Sequence, residues 1–103
     1  MKNKIHYTAE ALRDLDEIWD YIGKCLNSPA TASRTVDRIM NDIDLLEDYD
    51  EIGVGLFAVT GVESDYRYIV SGKYFVFYRL NNDEIYIDRI LHSRRDFIQI
   101  LFD

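Results

Sequence analysis

The sequence predicts an α+β fold: an N-terminal helical hairpin packed on an antiparallel sheet of three to five strands, with a short C-terminal helix. Three observations carry this. Apolar residues recur at helical spacing in two stretches before Tyr49, turn residues separate those stretches, and period-two strands follow Tyr66. With 103 residues and 48% apolar content, residues 1–103 read as one domain with a single core.

The elements follow in order. Lys4-Ile5-His6-Tyr7 reads as a short strand with Ile5 and Tyr7 on one face. Thr8 is placed to cap a helix from Ala9, and Glu10, Asp14, Asp16 and Glu17 suit its positive N-terminal end. Leu12, Leu15, Ile18, Trp19 and Ile22 form its apolar stripe. Gly23 and Asn27-Ser28-Pro29 stop it, and Ser28-Pro29 opens a second helix with proline at its first position. Ala32, Val36, Ile39, Met40, Ile43 and Leu46 give that helix its stripe.

Asp48 to Gly55 is acidic and carries glycine, hence loop, and Leu56-Phe57-Ala58-Val59 reads as a short strand. Tyr66–Val70 and Lys73–Leu80 flank a tight turn at Ser71-Gly72, and Asn81-Asn82-Asp83 turns the chain into Glu84–Leu91. Ser93 to Phe102 reads as the closing helix, carrying Phe97, Ile98 and Leu101. On the central strand Phe75 and Phe77 alternate with Tyr74, Val76 and Tyr78. Arg79 shares the phenylalanine face, which suggests that this face is not covered by the helices. The alternative is that both faces are covered, one of them by the C-terminal segment.

Charge is uneven. The formal net charge is -7, with a balance of -6 in residues 1–51 and -1 in residues 52–103. Such acidity argues against a non-specific grip on nucleic acid, which rests on neutralising phosphates, but leaves room for a local cationic site. Within the acidic chain, RILHSRRDF (Arg89–Phe97) gathers His92 and three arginines. No apolar run approaches the roughly 20 residues that span a bilayer, and the N-terminus lacks the apolar core of a signal peptide, so the expected address is the cytoplasm. Cys25 is the only cysteine, which leaves no internal disulfide or cysteine-based zinc site. No cofactor or metal is expected.

YTAEALRDLDEIWDYI, then a second helix, DYRYIVSGKYFVFYRL and IYIDRILHSRRDF together resemble the RelE/ParE superfamily of toxins from type II toxin–antitoxin systems. The likeness covers nearly the whole chain and is closest to the ParE-like branch, through the strand ending RILHSRRD. It implies a cognate antitoxin as partner. It also implies one of two activities: binding DNA gyrase as a poison, or metal-independent cleavage of mRNA on the ribosome. A third possibility is a module that only binds its antitoxin.

Cleaving RNA without metal needs a base, an acid and cations against the phosphorane charge. The candidates are Arg67, Lys73, His92 and Arg95, His92 having an ordinary pKa close to working pH. Against this, Phe75 stands where nuclease members often carry a basic residue, and phenylalanine cannot stabilise a phosphorane. The binding reading is therefore preferred. Its candidate partner-binding residues are Phe75, Phe77, Arg79, Arg89, His92, Arg94 and Arg95. The bland alternatives are that His92 bonds the backbone, or is held by Asp96, and that the arginines form surface ion pairs with Asp88 and Asp96, each contributing under about 1 kcal/mol.

Overall fold

A computed structural model describes residues 3–55, 57, 61 and 64–102. Strand β1 (Lys4–Tyr7) leads into helix α1 (Ala9–Asp20), which runs on as a π-helical turn, Tyr21–Cys25. Helix α2 (Pro29–Asp44) follows, then a 3-10 turn, Leu45–Glu47. Strands β2 (Val54–Gly55), β3 (Arg67–Ser71), β4 (Tyr74–Asn81) and β5 (Glu84–His92) precede helix α3 (Phe97–Phe102). The strand expected at Leu56–Val59 falls largely outside the described residues.

The strands form one sheet in the order β1-β5-β4-β3-β2. β2 to β5 pair antiparallel as expected, whereas β1 lies parallel to β5, with Lys4 opposite Glu84 and Tyr7 opposite Ile87. Two tight turns set the meander. Gly72-Lys73, one residue later than the expected Ser71-Gly72, joins Ser71 to its partner Tyr74. Gly72 has φ +59, which glycine adopts without steric penalty.

Thr8 caps α1, its hydroxyl accepting from the Ala11 N–H at 3.1 Å. Pro29 starts α2 as expected, but Ser28 makes no capping bond and donates instead to Thr31 Oγ1. Ala11, Leu15, Ile18 and Ile22 of the first helical segment bury against Val76, Tyr78, Ile85, Ile87 and Ile90, with Ala32, Ile39 and Ile43 of α2 in the same core. The stripe is narrower than the sequence suggests. Trp19 is 43% exposed, and Leu12 and Met40 are exposed too. Asp14 lies inside the stripe at 5% exposure, although its position suggested only a favourable charge near the helix N-terminus.

The opposite face of the sheet is covered, not open. Phe77 is fully buried with Leu91, and Phe97, Ile100 and Leu101 of α3 pack on them together with Tyr68 and Phe75. The second of the two sequence alternatives holds, because a six-residue helix with three apolar contacts suffices to cap a narrow sheet. Phe77 therefore cannot serve as an exposed docking residue, and Phe75 is half-buried between Tyr68 and Phe97.

One irregularity positions everything that follows. The β4–β5 register slips between Phe77, opposite Arg89, and Tyr78, opposite Ile87, leaving Asp88 as an extra residue in β5. Before the slip Ile85 and Ile87 face the helices; after it Ile90 does, with His92 two residues on.

Candidate functional site

β1 pairs β5 only as far as Ile87, so the remainder of β5 has no strand on that side. Helix α1 takes over its polar groups. The Thr8 N–H donates to the Ile87 carbonyl at 3.1 Å, and the Thr8 hydroxyl to the Asp88 carbonyl at 3.1 Å. The Asp14 carboxylate accepts from the Ile90 N–H at 2.9 Å and from both Nε and Nη2 of Arg89, at 2.8 and 2.9 Å. This two-pronged bond to Asp14 pushes the Arg89 pKa up. Nearby, Arg79 Nε bonds Asp88 at 2.6 Å, and its pKa is likewise raised by that bond.

Two of the expected arginines are thus committed to internal carboxylates. Neither pair is the expected surface arrangement: Arg89 finds Asp14 rather than neighbouring Asp88, and Asp88 is taken by Arg79. Arg67 lies at the start of β3, donating to the Gly53 carbonyl at 3.1 Å with its buried Nε unpartnered.

The other end of the sheet holds the remaining candidates. Tyr74 pairs with His92 and also with Ser71, and the Ser93 N–H donates to the Lys73 carbonyl at 2.8 Å, which ties the β3–β4 turn to the end of β5. The His92 Nδ1 accepts from the Arg94 N–H at 3.1 Å, which places the ring proton on Nε2, and the ring meets Tyr74 edge-on with centroids 5.4 Å apart. His92 bonds backbone, as the bland reading held, but Asp96 is not its partner. Asp96 accepts from the Gln99 N–H at the start of α3 instead.

Around these rings lies a cleft between the helical hairpin and the sheet. One hollow of about 450 Å3 runs from the π-helical turn to Gly72, and an adjoining hollow of about 480 Å3 runs towards Arg94 and Arg95. Tyr21, Tyr74 and His92 line both. Burial raises the Tyr74 pKa, and the nearby Tyr21 adds to it. Arg38 stands over the turn, its Nη1 only 2.8 Å from where a Cβ on Gly72 would sit. Arg38, Lys73, Arg94 and Arg95 are all exposed, and none makes an ion pair among the described residues.

So the structure brings Lys73, His92, Arg94 and Arg95 together. It places Phe75, Phe77, Arg79 and Arg89 elsewhere and Arg67 at the far end of β3. Arg38 and Tyr21 are additions that the sequence did not single out. Tyr21 carried a weak signal, standing just before the glycine that ends the first helical pattern, while Arg38 reaches the site only through the packing of α2 on β3. Among the described residues no group of three or more His, Cys, Asp or Glu is arranged to hold a metal ion, and no helix is long and apolar enough to cross a membrane.

A family model described as the ParE toxin of type II toxin–antitoxin systems matches residues 5–97. The candidate toxin Y4kP of Sinorhizobium fredii is 34% identical over 103 residues, covering 97% of this chain and 98% of that one. Among solved structures, a chain of a chromosomal ParDE toxin–antitoxin system from P. aeruginosa superposes with TM-score 0.74 at 24% identity, over 88% of this chain and 96% of that one. A chain of the toxin–antitoxin complex RelBE2 from Mycobacterium tuberculosis does so with TM-score 0.58 at 18% identity, over 89% and 99%. At these identities the solved structures show a shared fold.

Proposed function

Because the chain belongs to the ParE toxin family of type II toxin–antitoxin systems, we propose that it arrests growth by binding DNA gyrase and that a cognate antitoxin silences it. The observation that carries the binding reading is the separation of Arg67 from the other nuclease candidates, Lys73, His92 and Arg95, which gather at the opposite end of the sheet. His92, Tyr74 and Ser71 are paired across neighbouring strands, and Arg67 lies four residues from Ser71 along β3. That is roughly 13 Å along the strand and about 10 Å across two strand spacings. One phosphodiester cannot meet Arg67 and His92 at once. Phe75, at the position where a cation would serve cleavage, packs against Tyr68 and Phe97. The solved neighbours come from toxin–antitoxin assemblies, which supports a partner of the same kind here.

The test pairs two assays on the purified protein. Gyrase supercoiling in vitro falls with added protein, and primer extension on translated messages finds no new ends at the ribosomal A site. Cleavage at that site, lost on His92→Ala, would overturn the reading in favour of a ribosome-dependent endoribonuclease.

A further inference from the structure

We propose that the cleft between the helical hairpin and the end of β5 seats an acidic amphipathic segment of the silencing antitoxin, apolar side chain on its floor and carboxylates on its rim. The inference rests on reading the chain as an antitoxin-silenced toxin, and it adds the place and the chemistry of the contact.

Charge is the first observation. In a chain of net charge -7, Arg38, Lys73, Arg94 and Arg95 converge on one cleft, and none makes an ion pair among the described residues. Of the two carboxylates that also line it, Asp14 is taken by Arg89, which leaves Glu17 against four cations. Elsewhere Arg79, Arg89 and Lys24 have acidic partners, and cations with no ion pair among the described residues, such as Arg13 and Arg67, stand singly rather than in a group. Four like charges held close repel one another and lower the potential energy of any anion that enters. Arg38 and Lys73 stand on the lip formed by the β3–β4 turn, and Arg94 and Arg95 on the lip formed by the turn after β5. Carboxylates on one short segment can meet both lips, and guanidinium groups take carboxylates with two parallel hydrogen bonds.

The floor says which anion. The π-helical turn and the residue after it bring Ile22 and Leu26 to the cleft, with Ile39 from α2 beside them. Leu26 is 57% exposed, an apolar side chain left at the mouth of a cationic cleft. A polyphosphate has no use for such a floor, and the acidity of the rest of the chain repels an extended nucleic acid. A peptide with an apolar anchor and flanking glutamates or aspartates satisfies both parts, the anchor supplying affinity and the rim charges steering and register.

Titration calorimetry with the purified cognate antitoxin tests it, at low and high salt. Arg94→Gln combined with Arg95→Gln weakens binding about tenfold at low salt, with the difference shrinking at high salt, as two rim contacts require. Arg38→Gln with Lys73→Gln acts in the same direction, and Leu26→Asp weakens binding at both salt levels. Arg13→Gln, a loss of positive charge on the exposed side of α1, leaves binding unchanged. All of these positions are exposed, so thermal melts match the unaltered protein and folding does not confound the result. Unaltered affinity in the cleft variants, with binding by the parent protein intact, overturns the proposal and spares the toxin–antitoxin reading. Failure of the parent protein to bind overturns both. Displacement of the antitoxin by an oligouridylate at low salt would make the cleft a nucleic-acid groove and also overturns it.

Discussion

Replacing Asp14 tests the node on which the unpaired half of β5 depends. The carboxylate is 5% exposed and accepts three hydrogen bonds, two from Arg89 and one from the Ile90 N–H. Asp14→Ala removes all three at once. Breaking a buried ion pair by deleting one partner costs about 3–5 kcal/mol, most of it from the charge left behind. Arg89 keeps 24% exposure and regains some water, which moves its share to the low end. The Ile90 N–H then lacks a partner, adding about 1–3 kcal/mol unless water reaches it. The expected loss is roughly 4–6 kcal/mol, or about 3 kcal/mol if water reaches the Ile90 N–H, a large part of the stability of a small domain.

Two companion substitutions separate the contributions. Asp14→Asn keeps an acceptor for Ile90 but loses the charge, and costs about 1–2 kcal/mol. Arg89→Ala leaves the carboxylate one backbone bond and costs about 2–3 kcal/mol, so the double variant falls short of the sum because the second change removes a charge already stranded. Urea unfolding measures this as a drop in midpoint at constant slope. An Asp14→Ala midpoint equivalent to less than about 0.5 kcal/mol of loss would refute the reasoning, since surface substitutions fall in that range. It would mean that Arg89 and Ile90 find water as readily as they find Asp14.

Three further outcomes are expected. Phe77→Ala lowers stability by about 3–4 kcal/mol in urea unfolding, because it empties the centre of the core under α3, and the folded fraction keeps its antitoxin affinity. Gly53→Ala pushes a methyl group against the Tyr78 ring, with Cε1 and Cζ at 2.7 and 2.8 Å, and disturbs the bonds from Tyr78 Oη to the Asp50 carbonyl and from Gly53 N–H to Tyr78 Oη; it costs about 2 kcal/mol or more by the same measurement. Tyr7→Phe is neutral or stabilising at pH 7 by up to about 1 kcal/mol, since its buried hydroxyl has no partner among the described residues. Burial, then Asp44, pushes the Tyr7 pKa up to about 12, above its ordinary 10.0. The unfolded chain therefore loses this proton first, and stability present below pH 10 declines towards pH 12. Thermal melts across that range show a shallower decline for Tyr7→Phe, with Tyr66, Tyr74 and Tyr78 still contributing a slope of the same sign.

How much of this the sequence discloses depends on how local the cause is. Thr8, Pro29 and Asn82, φ +58, act within a few residues of themselves, so the starts of both helices and the last hairpin were legible. The parallel seat of β1 was not, since it depends on Ile5 and Tyr7 meeting β5 about 80 residues later in the chain. Asp14 was misjudged for a related reason. Charge placed it with the helix N-terminus, whereas its spacing from Ala11, Leu15 and Ile18 placed it on the buried face, where only an internal cation and an unpaired N–H make it tolerable.

The cleft turns on the same competition between local and distant causes. Strict alternation from Ile85 and Ile87 would send Arg89 and Leu91 towards the helices and His92 away from them. The apolar spacing breaks that count, since Ile90 follows Ile87 by three residues, and a three-residue step in a strand is what one extra residue produces. With Asp88 as the extra residue, Ile90 joins the helix-side core and His92 comes to lie beside Tyr74 in the cleft. Arg89 falls opposite Phe77, at the edge where Asp14 can take it. RILHSRRDF therefore divides its cations by register. Arg89 is spent inside the fold, and Arg94 and Arg95, beyond the strand, are left free for a partner. Deleting Asp88 would leave Ile87, Ile90 and His92 on the helix side and Arg89 opposite Phe77, because these residues alternate once the extra one is gone. Its loss would be felt at Arg79, whose carboxylate partner it is, and at the Thr8 hydroxyl, which donates to its carbonyl.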